Sequence, residues 1–130
     1  MSDLLLALVG TRRCIRVVND DISRTMDLLD RETIIVTGDA PGVDAHVKRE
    51  CKRLGFRLIS CHARWNTHGR AAGPERNLVI VRLANRAIAW PAASRDTPED
   101  RTQSAGTWNC VELFEGRSKP VEIRSVAWTT

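Results

Sequence analysis

The residues able to do chemistry fall in four short runs. The first, Thr37-Gly38-Asp39-Ala40-Pro41-Gly42-Val43-Asp44, joins the β-branched stretch Thr33 to Val36 to a helical one, Ala45 to Leu54. A glycine-rich turn between a strand and a helix sets free backbone N–H groups around a helix N-terminus. Orphan amides and the helix dipole both favour an anion there, which points to phosphate and so to a nucleotide-type ligand. Gly38 and Gly42, with Ala40 between them, would let the backbone approach that ligand. Asp39 or Asp44 would accept hydrogen bonds from ribose hydroxyls. The second run, Gly10-Thr11-Arg12, closes the apolar stretch Leu4 to Val9 and offers a similar close approach.

The third run, Gly73-Pro74-Glu75-Arg76-Asn77, opens another helix, with proline suited to a first turn. Arg76 would grip phosphate bidentately, and Asn77 would hold a sugar or orient Arg76. A cation in a first turn opposes the helix dipole, a mismatch that an anionic ligand resolves. In the fourth run, Ser104-Ala105-Gly106-Thr107, Thr107 and the Gly106 backbone would make a second phosphate cradle. Trp65 offers a face for a base, whereas Trp90 and Trp108 suit the core. Each feature has a plainer reading: a tight turn for Gly38 and Gly42, a dipole partner for Asp44, a cap for Thr107. The four runs together favour a ligand more than any one residue does.

The elements that must position these runs alternate. Leu4 to Val9, Thr33 to Val36, Phe56 to Ser60, Arg86 to Trp90 and Val121 to Val126 read as strands. Asn19-Asp20-Asp21 reads as the capped start of a helix whose apolar face is Ile22, Met26 and Leu29. Val43, Val47 and Leu54 share a face of the next helix, which Gly55 ends. Further helices run on from Pro74 through Ala84 and from Ser104 to Phe114, the last stopped by Gly116. The order predicts an α/β fold: one Rossmann-like, doubly wound parallel sheet of about five strands with helices on both faces. Ligands of open α/β sheets sit at the carboxyl ends of the strands, where all four runs fall. Pro91 to Gln103 is a long polar connection and a candidate lid or disordered loop.

Length and composition set limits on this picture. The 130 residues, 42% hydrophobic and 28% charged, suit one domain with one core. The apolar start has no basic segment before it and is too short to span a membrane, so a cytoplasmic location is expected. Cys14, Cys51, Cys61 and Cys110 form no C-x-x-C pair and read as free thiols. Cys61, His62 and His68 fit no zinc spacing, so no metal is expected. Residues 46–82 hold nine Lys/Arg against two acids, leaving the rest of the chain acidic. That zone suits an anionic ligand, although Lys48, Arg49, Lys52 and Arg53 read as a solvated helix face. No aromatic residues interleave the basic ones, so nucleic acid is not the expected partner.

The run Trp65-Asn66-Thr67-His68-Gly69-Arg70-Ala71-Ala72-Gly73-Pro74-Glu75-Arg76-Asn77 resembles the W-x-x-x-G-x-x-A-G-x-x-R-N signature of the YspA-like branch of the SLOG superfamily. Gly10-Thr11-Arg12, the turn from Gly38 to Asp44, and Gly106-Thr107 match it in type and order. The resemblance implies a Rossmann-like domain for a nucleotide-derived ligand such as an ADP-ribose derivative or a nucleoside monophosphate. Relatives include sensors and phosphoribohydrolases. It implies no separate cofactor and allows a homodimer. The hydrolases carry G-T-x-x-E, whose Glu works on the glycosidic bond. Here Gly106-Thr107-Trp108-Asn109-Cys110 puts a thiol at that position, which cannot stabilise an oxocarbenium-like centre as a carboxylate does. Binding by a sensor or sequestering module is therefore the expected function. Hydrolysis through Asp39, Asp44 or Glu75 is the alternative.

Overall fold

In a computed structural model of the chain, residues 5–13, 15–96 and 104–129 are described. Five strands, β1 (Leu5–Gly10), β2 (Ile34–Thr37), β3 (Arg57–Ser60), β4 (Arg86–Trp90) and β5 (Val121–Ile123), form one sheet in the order β3-β2-β1-β4-β5. Every pairing is parallel, with Ala7 of β1 opposite both Val36 and Ala87. This is the doubly wound α/β arrangement expected from the alternating pattern.

Helices cover both faces because successive strand residues point to opposite sides. On one face Leu6, Leu8, Ile35, Ile88 and Trp90 meet α1 (Arg16–Asp27) and α2 (Val43–Leu54) through Val18, Ile22, Met26, Val43 and Val47. On the other, Ala7, Val9, Val36, Ala87 and Ala89 meet α4 (Ala72–Leu83) and α5 (Ala105–Gly116) through Ile80, Val81, Trp108, Val111 and Phe114. Small residues in β4 and β1 leave room there for Trp108 and Phe114, both fully buried. A one-turn α3 (Trp65–His68) and a 3₁₀ turn (Gly69–Ala71) precede α4.

Two helix starts differ from expectation. α1 begins at Arg16, after Ile15, with no side-chain cap, so Asn19-Asp20-Asp21 lies inside it. Asp21 is held there by a tertiary partner: its carboxylate accepts the Trp90 indole N–H at 2.9 Å. α4 begins at Ala72, which makes Pro74 its third residue and puts Arg76 beyond the first turn. Gly55 ends α2 in the left-handed conformation, φ 82°, as expected. The candidate lid lies partly outside the described residues. Its first residues are pinned, Ala92 N–H donating to Ser104 Oγ at 2.7 Å. No described helix is long and apolar enough to cross a membrane.

Candidate functional site

The chain crosses from β3 back past β1 to β4, so the strand order reverses between β1 and β4. A crevice opens at the carboxyl ends of strands at such a point. Here it is a cavity of about 490 Å³, within the range of small-molecule sites. Gly10, Thr11, Arg12, Ala40, Asp44, Trp65, Gly73, Arg76, Asn77, Ser104, Gly106 and Thr107 all line it. Val9, Pro74, Ile80, Ala105, Asn109 and Cys110 complete the wall. Val9 and Ile80 are core residues whose ends show in the cavity, and nothing in the sequence marks them.

The floor is tied down by backbone. Thr11 N–H donates to Trp90 O at 2.9 Å, joining the end of β1 to β4, and Thr11 O accepts from Val43 N–H at 3.0 Å, joining it to the start of α2. Gly42 lies between, at φ 82°, and a Cβ there would come within 2.5 Å of the Arg12 and Thr11 backbone. Only glycine fits. A Cβ at Gly38 would lie 2.6 Å from Asp44 Oδ2 and 2.8 Å from Arg76 Nη1. Gly38 and Gly42 are thus demanded by the protein's own packing, and neither lines the cavity. The expected approach of ligand to this turn is limited to Ala40 and Asp44.

Asp39 also departs from expectation. Its carboxylate takes Arg76 Nη1 at 2.7 Å, Ala63 N–H at 3.2 Å and His62 at 3.3 Å, and it does not line the cavity. It neutralises Arg76, so the cation needs no ligand to be tolerated. Arg76 is further oriented by its Nε–H, which donates to Asn77 Oδ1 at 3.1 Å. Asn77 in turn donates to Gly106 O at 3.0 Å and Asn109 Oδ1 at 2.9 Å. Asn77 therefore connects Arg76 to the first turn of α5. Asn109, the partner that sequence reasoning missed, sits next to the departure at Cys110 and carries no local signal of its own.

α5 starts at the cavity with no side-chain cap on its first amides, because the Ser104 hydroxyl serves Ala92 instead. The N–H groups of Ala105, Gly106 and Thr107 have no intrahelical partner. A Cβ at Gly106 would meet no atom of the described residues within 4 Å. Trp65, also in the cavity wall, is 47% exposed, with its ring edge 3.2 Å from where a Gly73 Cβ would lie and the Arg12 guanidinium 5.9 Å from its centre.

Charge in the cavity is spare. Arg12 and Arg76 are its cations, and Asp44 is the one carboxyl among the described lining residues. Burial pushes Asp44 up from 3.8 to about 6, against the Ala40 amide, the Arg76 charge and the Thr37 hydroxyl, which pull it down. Burial also pushes the Cys110 thiol up to about 12, so it is neither nucleophile nor acid near neutrality. Glu75 pairs with His68 at 2.8 Å and does not line this cavity.

No family model matches the chain. No curated protein matches it either. Among solved structures, the X-ray structure of DNA processing protein A (DprA) from Streptococcus pneumoniae matches with a TM-score of 0.74 at 19% identity, over 93% of this chain. The chain spans about half of that structure, 51% of its length. The expectation against nucleic acid gains no support from a neighbour of that name. What the two chains share is the Rossmann-like α/β fold.

Proposed function

We propose that the chain binds a nucleotide or nucleotide-derived ligand, of ADP-ribose or nucleoside monophosphate type, as a sensor or sequestering module. The observation that carries this reading is that an uncapped helix N-terminus, Arg76 and an exposed Trp65 line one cavity. The first suits phosphate and the second suits the face of a base. Membership of the SLOG superfamily, and of its YspA-like branch, is part of the proposal. The fold in common with DprA supports the superfamily, while the branch rests on the run from Trp65 to Asn77.

Hydrolysis of the same ligand is the second reading, and Asp44 is the observation in its favour, being a buried carboxyl that faces the cavity. The neighbour's name, DNA processing protein A, adds DNA as a further candidate occupant. Calorimetric titration with AMP, NAD and ADP-ribose, followed by chromatography of the mixtures, separates the three. Saturable binding with intact ligand, lost in Arg76→Ala, is the expected result. Release of base or ribose phosphate would move the assignment to an enzyme. Failure of all three ligands, with oligonucleotide binding that weakens steeply as salt rises, would move it to nucleic acid.

A further inference from the structure

Three buried oxygens, one of them on the cavity-lining Asp44, lie close together. Thr37 Oγ1 is 2.6 Å from the Leu8 carbonyl oxygen and 3.2 Å from Asp44 Oδ1. Leu8 and Thr37 are fully buried and Asp44 nearly so. The Thr37 hydroxyl has one hydrogen to donate and faces two acceptors, the Leu8 carbonyl oxygen and Asp44 Oδ1. The shorter contact, to Leu8, claims most of it, so an ionised Asp44 keeps a weak hydroxyl donor at Oδ1 and the Ala40 amide at Oδ2, 3.2 Å away. A protonated Asp44 would instead donate through Oδ1 to Thr37.

The surrounding cations favour the charged form of Asp44, and burial outweighs them. Arg76 faces Asp44 across Gly38 but gives its Nη1 to Asp39 and its Nε–H to Asn77. Lys48, on the same helix, and Arg76 act on Asp44 through space. The other titratable groups nearby are Asp39 in the turn, the thiols of Cys61 and Cys110, and Arg12 at the cavity wall. Burial raises both thiols, so they stay uncharged. Among the described residues, no cation forms an ion pair with Asp44.

We propose that Asp44 serves the cavity as a neutral carboxylic acid and that a phosphate-bearing ligand binds with uptake of a proton at this side chain. The inference rests on the ligand class proposed above. An ionised Asp44 would repel the phosphates in a cavity that screens charge poorly, and protonation removes that repulsion. Burial already holds the free carboxyl near the neutral range. The empty cavity therefore holds mostly carboxylate above that range, and the bound one draws a proton from solvent. Affinity rises as pH falls, by up to about tenfold per pH unit between the free and bound midpoints.

ADP-ribose is the suitable probe, because its pyrophosphate diester exchanges no proton near neutrality, whereas the second phosphate ionisation of AMP, at about pH 6, would obscure the result. Calorimetry in two buffers of different ionisation enthalpy reads the protons taken up. The expected result at about pH 7.5 is uptake approaching one proton per ligand, with affinity falling roughly tenfold from about pH 6.5. Asp44→Asn keeps a donor towards Thr37 and an acceptor for Ala40, so it should bind with no uptake and no pH dependence. Carboxyl-carbon NMR reads the midpoint of Asp44 directly in the free protein. Binding without proton uptake, uptake that survives in Asp44→Asn, or a free midpoint at the ordinary carboxylate value each overturns the inference. If neither protein binds ADP-ribose at any pH, the ligand class fails and the linkage with it. Binding without uptake sinks the linkage alone.

Discussion

Replacing Asp44 with Asn should stabilise the protein, and only on the alkaline side. The folded-state carboxyl sits at about 6 against 3.8 when unconstrained, because burial disfavours its charge. A raised carboxyl means the folded chain binds the proton more tightly than the unfolded chain. Its contribution is fully present below the unfolded value and is lost as pH rises through the folded one. A shift of roughly two units at about 1.4 kcal/mol each puts that loss at up to about 3 kcal/mol near pH 8. Asparagine keeps the shape and never carries the charge, so it escapes the loss. Urea denaturation of both proteins between about pH 4 and about pH 8 reads the difference directly. With a typical slope of about 2 kcal/mol per molar, the variant's midpoint should lie on the order of 1 M higher at the alkaline end. The gap should close as the pH approaches the unfolded value. The comparison is internal, so other carboxylates such as Glu50, held down to about 2 by Arg53, cancel from it. A variant less stable than wild type at about pH 8 would refute the reasoning, since it would mean that the ionised carboxylate is favourably paired. Equal stabilisation at every pH would refute it too, because charge would then not be the cause.

Three further substitutions separate ligand from scaffold. Gly106→Ala meets no atom of the described residues and adds a better helix former to the first turn of α5. It should leave denaturation unchanged or slightly improved while weakening ADP-ribose binding at least tenfold, about 1.4 kcal/mol, by calorimetry. Gly42→Ala forces a side chain into the Arg12 backbone at a positive φ. It should cost about 2 kcal/mol or more in urea, whatever the ligand does. Trp65→Ala should weaken AMP and ADP-ribose by about 1–3 kcal/mol each and leave ribose 5-phosphate untouched. An equal loss for all three would remove Trp65 from the base subsite.

The strands were legible because a buried parallel strand is a short continuous apolar run, and Thr33 to Val36 has no competing helical period. The gathering of the four runs at one rim followed from topology alone. What failed were features set by tertiary partners. Asn19-Asp20-Asp21 has the composition of a helix cap, but Asp21 answers to Trp90, 69 residues away. Arg76 calls for an anion, and Asp39, 37 residues away, supplies one whether or not a ligand adds another. Neither partner is visible locally, and for the same physical reason. A charged residue states what it needs but not where the partner comes from, since local spacing constrains only neighbours within a turn.

The glycines carry the same ambiguity in a sharper form. A glycine in the sequence reports a missing Cβ and is silent on what takes its place. At Gly10 the space is filled by Trp90 O and the Val43 side chain, at Gly38 by Asp44 and Arg76, and at Gly42 by the Arg12 backbone. The turn that most resembled a phosphate loop is therefore closed by the protein itself. It acts on the site indirectly, by holding Asp44 and Arg76 in place. At Gly106 none of the described residues fills the space, and the adjoining amides have no partner within the helix. Of the glycine-containing segments at this rim, the start of α5 is the one whose geometry a ligand would explain, and it marks where phosphate should first be sought.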